Sequence, residues 1–163
     1  MNRVNLLVAA SLAIAVPTAV LAHGSNGHGE TAFGRPGDEG KPNRVVEIVM
    51  RDNDGKMRFE PNTITVEQGK QLRFRIRNEG LLDHEFILAT HEENMKHAEE
   101  MMKNPEMEHD EPNMKRIKPN ETREVLWRFT KPGKFHIGCL IPGHLEAGMQ
   151  VYIIVTASKA AAK

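Results

Sequence analysis

From Arg44 onward, hydrophobic and polar positions alternate with a period of two in short runs separated by turn-forming residues, the signature of strands with one face on a core. RVVEIVM (44–50), rich in β-branched residues, runs into the turn cluster Asp52-Asn53-Asp54-Gly55. Phe59-Glu60-Pro61-Asn62 leads to TITV (63–66), which closes at Gln68-Gly69. In QLRFRIRN (71–78), Leu72, Phe74 and Ile76 face one way and Arg73, Arg75 and Arg77 the other. In the run Leu81 to Leu88, His84 shares a face with Phe86 and Leu88, at the inward end of a strand. ETREVLWRF (121–129) puts Val125, Trp127 and Phe129 on one face. After the turn Lys131-Pro132-Gly133-Lys134, the residues Phe135, Ile137 and Cys139 alternate inward, and VYIIV (151–155) closes the series. About seven to eight short strands at this spacing predict an all-β, two-sheet β-sandwich.

Three stretches depart from the strand pattern. Met1 to Asn5, carrying Arg3, precedes the apolar run LLVAASLAIAVPTAVLA, the shape of a secretory signal cleaved after Ala22. Pro17 and the glycine-rich flank that follows argue against a membrane anchor. The mature chain is thus expected to be periplasmic and free of the membrane. Residues 23–43 read as a disordered His/Gly-rich tail, 44–157 as the domain and 158–163 as a short tail. Within the domain, 91–120 forms a polar insert, helical to about Asn104 and then broken by Pro105 and Pro112.

Charge and cysteine count narrow the chemistry. Lys and Arg total 22 and Asp and Glu total 22, so nucleic acid and anionic membrane surfaces are not indicated as partners, and the arginine row reads as a solvated face. Cys139 is the only cysteine and cannot pair within the chain. In an oxidising compartment such a thiol needs burial or a task.

The stretch KPGKFHIGCLIPGHLEAGMQVYIIV supplies the task. It holds Cys139, His144 and Met149 in the pattern C-x4-H-x4-M, a thiolate, an imidazole and a thioether on one loop, and such soft donors suit copper. His84 is the fourth candidate, completing a His2Cys set with an axial methionine, the arrangement of blue-copper electron transfer. His136 falls on the face opposite Cys139 and stays outside the set. The insert carries His91, Met95, His97, Met101, Met102, Met107, His109 and Met114, and the tail His23 and His28. These are candidates for auxiliary copper sites, with the methionines favouring Cu(I). The alternative has Met95 and Met102 packing on the sandwich and the others solvated. A closed ligand set and the absence of a nucleophile–base arrangement argue against an enzyme.

GKFHIGCLIPGHLEAGM resembles the C-terminal copper loop of the cupredoxins, the plastocyanin and azurin family, and LLDHEF is similar to their upstream ligand strand. The resemblance spans roughly Arg44 to Val155 and implies a Greek-key β-sandwich with one copper, cycling between Cu(II) and Cu(I), held by His84, Cys139, His144 and Met149. The C-x4-H spacing looks like azurin and H-x4-M like plastocyanin, while Glu85 stands where family members often carry Asn or another small polar residue. The His-rich tail and Met/His insert are similar to periplasmic copper-tolerance cupredoxins of the CopI-like kind. The resemblance implies copper tolerance, or alternatively soluble one-electron carriage. A redox or copper-transfer protein would dock near His144, and for one-electron carriage the docking surface would be an apolar patch of Leu140, Ile141, Pro142 and Leu145.

Overall fold

The structure, a computed structural model, describes residues 29–41, 44–53 and 55–158. The strands are β1 (Arg35–Pro36), β2 (Arg44–Arg51), β3 (Arg58–Glu60), β4 (Thr63–Glu67), β5 (Gln71–Asn78), β6 (His84–Ala89), β7 (Met114–Ile117), β8 (Thr122–Arg128), β9 (Gly133–Gly138) and β10 (Gln150–Thr156). The helix α1 (His91–Met101) lies between β6 and β7. The strands form two five-stranded sheets, ordered β1-β8-β5-β2-β3 and β4-β10-β9-β6-β7. The pairs β2–β5 and β4–β10 are parallel and join strands that are not consecutive, so the chain crosses between sheets as a Greek-key sandwich does.

Alternation predicts the inner faces correctly. Leu72, Phe74 and Ile76 of β5, Val125 and Trp127 of β8, Phe86 and Leu88 of β6, and Ile137 of β9 all join one core. The outward arginines are ion-paired to neighbouring strands, Arg73 to Glu124 at 2.9 Å and Arg75 to Glu47 at 3.3 Å. Exposed pairs of this kind contribute little each, on the order of 0–1 kcal/mol. They keep one face of the first sheet wet.

Among the described residues there are ten strands rather than the expected seven or eight, and the additions are the short β1, β3 and β7. Strands of two to four residues carry too few alternations to register as periodic. The expectation of no regular structure before Arg44 is corrected for residues 29–41. Phe33 is buried and stacks on Trp127 with centroids 5.3 Å apart, and Trp127 Nε1–H donates to the Phe33 carbonyl at 3.0 Å. Gly34, at φ +122°, lets the backbone pass where a Cβ would lie 2.1 Å from the Arg128 oxygen. A single buried aromatic thus outweighs the polar composition around it.

The second sheet is dry on both faces along β6, whose six residues are all buried. Its outer face is covered by α1, which begins at Thr90 with a capping box closed by Glu93. The helix turns Asn94 and Met101 inward, and Met101 packs with Ile87 and Leu140 in a second cluster. The expected inward face, Met95 and Met102, is therefore off by one position: Met95 is half-buried and Met102 is 68% exposed. Asn94 explains the shift. Its amide donates to His136 Nδ1 at 2.8 Å, and His136 Nε2 faces Gln150 Oε1 at 3.1 Å, so buried polar groups set the helix register. His136 is thereby committed to the outer face, away from Cys139.

Candidate metal centre

At one end of the sandwich, β6 ends the approach from one side and the β9–β10 loop from the other. The loop is stitched by backbone bonds: Cys139 N–H donates to the Met149 carbonyl, Met149 N–H to the His144 carbonyl and His144 N–H to the Ile141 carbonyl, at 3.1, 3.1 and 3.0 Å. Gly143, at φ +88°, takes the left-handed turn that brings His144 back over Cys139. The C-x4-H-x4-M spacing is therefore a loop closed by its own backbone bonds.

The donor atoms of His84, Cys139 and His144 lie within 4.8 Å of one another. His84 Nδ1 is 3.2 Å from His144 Nδ1, and Cys139 Sγ is 3.3 Å from His144 Nδ1 and 3.9 Å from His84 Nδ1. All three are buried, His84 and Cys139 wholly and His144 to 8% exposure, which makes His144 the donor closest to solvent. Met149 is wholly buried and bonded through its backbone to both Cys139 and His144.

Burial sets the protonation states. It pushes the Cys139 thiol up to about 12, only partly opposed by the Glu85 N–H that donates to Sγ at 3.3 Å. Burial also lowers the pKa of both His84 and His144, against the pull of Asp52, so both imidazoles are neutral near pH 7. Neutral imidazoles are in ligand form, whereas the thiol needs a cation to give up its proton.

Asp52 is the residue that sequence reasoning missed. Its Oδ2 sits 2.9 Å from His84 Nε2, and its carboxylate accepts from the N–H groups of Leu81 and Leu82 at 2.7 and 2.9 Å. Burial alone would raise its pKa, but those amides and His84 hold it below the usual carboxylate range. With Nε2–H donated to Asp52, His84 presents a lone pair at Nδ1, the orienting role that carboxylates play behind metal-bound histidines. In the sequence Asp52 looked like one more turn former, as Asp commonly is. Asp52→Ala is expected to weaken metal binding at this cluster by roughly 10- to 100-fold. The fold should persist, because the amides of exposed Leu81 and Leu82 can turn to water. Competition titration and a thermal melt check the two halves of this statement.

The expected apolar patch is corrected at one residue. Leu140 is 2% exposed and packs under α1, while Ile141 and Leu145 are half-buried and Pro142 is exposed. Larger exposed apolar area stands on the loop before His84, at Leu81 (76%) and Leu82 (46%). Of the auxiliary candidates, His91 is exposed with its ring 5.1 Å from His136, and Met107 and Met114 pack on the outer cluster. His97, Met101 and His109 meet one another. His23 and His28, like the expected signal segment, lie outside the described residues. Among the described residues no helix is long and apolar enough to cross a membrane.

Two imidazoles and a lone thiol converge in a buried cluster, with a buried methionine on the same loop as the thiol, and the residues present fit copper. The sequence profile of the copper binding proteins of the plastocyanin/azurin family matches residues 46–156, and the chain belongs to that family, with copper as its cofactor. It is 41% identical over 133 residues to the copper-resistant cuproprotein CopI of Rubrivivax gelatinosus, covering 81% of this chain and 79% of the relative. Against the copper-resistant cuproprotein CopI of Vibrio cholerae it is 37% identical over 121 residues, covering 74% and 70%. Among solved structures it is similar in fold to auracyanin from the photosynthetic bacterium Roseiflexus castenholzii, at TM-score 0.59 and 18% identity, covering 71% of this chain and 99% of that one.

Proposed function

We propose that the protein is a periplasmic copper-tolerance cupredoxin whose copper is held by His84, Cys139, His144 and Met149 as a type 1 centre. The observation that carries the reading is the convergence of His84, Cys139 and His144 in a buried cluster around an unpaired thiol. A lone cysteine in an exported chain is protected when copper occupies its sulfur, and the expected cleavage after Ala22 accounts for export. Likeness to the cuproproteins named for copper resistance supports a role in tolerance.

Copper held by these residues supplies a Cu(II)/Cu(I) couple. The chain's contribution is to orient the donors before metal arrives. Asp52 fixes the ring of His84, the Glu85 N–H steadies the sulfur, and burial excludes water and substrate from the cluster. A closed set of this kind stores or relays copper and electrons rather than offering an open position for catalysis. One-electron carriage is the second reading. The exposed Leu81, Leu82 and Pro142 favour it as an apolar docking surface at this end of the molecule.

The reading predicts intense visible absorption from thiolate-to-copper charge transfer in the Cu(II)-loaded protein. Loss of the gene should also make the cells sensitive to copper. A colourless Cu(II)-loaded protein would remove the type 1 assignment, and unchanged growth on copper would remove the tolerance role.

A further inference from the structure

Behind β6, on the face away from Cys139, a second set of soft donors converges. His97 on α1 and His109 on the segment that follows it bring their Nε2 atoms within 3.2 Å, with ring centroids 4.9 Å apart. Met101 Sδ lies 3.5 Å from His109 Nε2, and Glu85 Oε1 lies 3.7 Å from the same nitrogen. The main centre pairs its imidazole nitrogens at the same 3.2 Å and sets its sulfur 3.3 Å from one of them. The two clusters thus repeat one motif, two ring nitrogens and a sulfur around a common point, on opposite faces of a single strand.

Three further observations point to a ligand. The side chains of His109 and Glu85 are 2% and 0% exposed, and Met101 is wholly buried, so this is a built interior site and not a surface tract. Both Glu85 carboxylate oxygens are buried with no partner at full hydrogen-bonding geometry, the Leu140 N–H giving only partial support, an arrangement that costs free energy unless something else satisfies them. The remaining nitrogen of His97, Nδ1, faces Glu100 Oε2 at 3.2 Å, and His109 Nδ1 faces Glu111 Oε2 at 3.8 Å. An outer carboxylate behind each ring is how metal-bound histidines are commonly oriented, and the same device stands behind His84. With Nδ1–H directed at Glu100, His97 turns a lone pair toward His109.

We propose that His97, His109 and Met101, with Glu85 as the charge-balancing fourth group, form a second copper site selective for Cu(I). A soft thioether beside two imidazoles is a donor set suited to Cu(I), and one carboxylate offsets the single charge of that ion in the interior. The site shares with the function proposed above only the premise that the chain handles copper, because its donors are entirely separate from the Cys139 centre. Glu85 adjoins His84 in sequence, so the two ions would lie on either side of β6.

The test is an anaerobic Cu(I) competition titration of the full-length mature protein. The series comprises wild type, Cys139→Ser, the double variant His97→Ala/His109→Ala, and Met101→Leu. Cys139→Ser should keep the Cu(I) equivalent assigned here. The double variant should lose one equivalent while its Cu(II)-loaded form keeps the visible absorption of the Cys139 centre. Met101→Leu, which preserves apolar volume, should bind that equivalent by more than roughly tenfold more weakly, the lower end of what even an outer-shell change costs. If the double variant fails to fold, Met101→Leu in the Cys139→Ser background decides the matter. Unchanged Cu(I) stoichiometry and affinity in the His and Met variants would overturn the site. Loss of the visible band in wild type, with this equivalent retained, would overturn the Cys139 centre alone.

Discussion

Cys139→Ser is expected to abolish the visible absorption of the Cu(II)-loaded protein and to weaken binding at the main centre by more than the roughly 10- to 100-fold that loss of an outer-shell partner costs. The sulfur is the only thiol in the chain and is wholly buried, so no other group can take its place. The pH dependence should change with it. Burial holds the apo thiol at about 12, whereas burial keeps His84 and His144 neutral near pH 7. Copper binding must then displace one proton from Cys139, and wild-type affinity should rise about tenfold per pH unit from neutrality upward. The serine variant has no such proton to lose, and its profile over that range should be flat. Serine replaces a buried group of similar size, so the variant should fold, which a thermal melt can verify. A retained visible band, or an equal pH slope in the two proteins, would contradict the assignment of the thiolate.

Glu85→Gln is expected to stabilise the copper-free protein strongly above neutral pH and to have far less effect in acid. Burial pushes the Glu85 carboxyl up to about 7, against Arg116 and the Leu140 N–H that partly support its ionised form. Its ordinary value is 4.5. Below that value both folded and unfolded chains carry the proton, and Glu85 costs nothing on this account. As pH rises from 4.5 to about 7 the unfolded chain releases its proton first, and stability falls. Above that window the loss is complete, at about 3 kcal/mol. Glutamine cannot ionise, so the gap in melting temperature between variant and wild type should widen between pH 4.5 and pH 8 by roughly 10 °C. An equal gap at both pH values would show that the carboxylate is not the strained group. Because Cu(I) at the outer cluster would supply the positive charge that Glu85 lacks, loading the wild type should narrow the gap at pH 8.

This sensitivity gives physical content to the departure at position 85. A small polar residue there would leave the outer face of β6 at ease, whereas glutamate places a charge under α1 beside His109. The backbone function is kept, since the Glu85 N–H still donates to Cys139 Sγ. The side chain is free to serve the other face.

The strands and the ligand loop were legible because their signals are local. Period-two alternation is a covalent consequence of the pleat, and it identified the inner faces of β5, β6, β8 and β9 without knowledge of their partners. The spacing from Cys139 through His144 to Met149 is likewise a property of one loop closed by its own backbone bonds. The pattern also placed His84 on the inner face, where it meets the loop. What lay beyond the sequence depends on packing between distant segments. Alternation marks Glu85 and Ile87 as outward, but it does not say that α1 covers that face and dries it. For the same reason Leu140 turned from a docking residue into a buried one, and the inward face of α1 was set by Asn94 meeting His136 rather than by its methionines. Asp52 was recognisable as a turn former, and only the tertiary structure set it behind His84. The insert's histidines and methionines were visible as a composition, but folding alone selected His97, Met101 and His109 from among them, because whether donors converge is decided by contacts across the fold and not by their order along the chain.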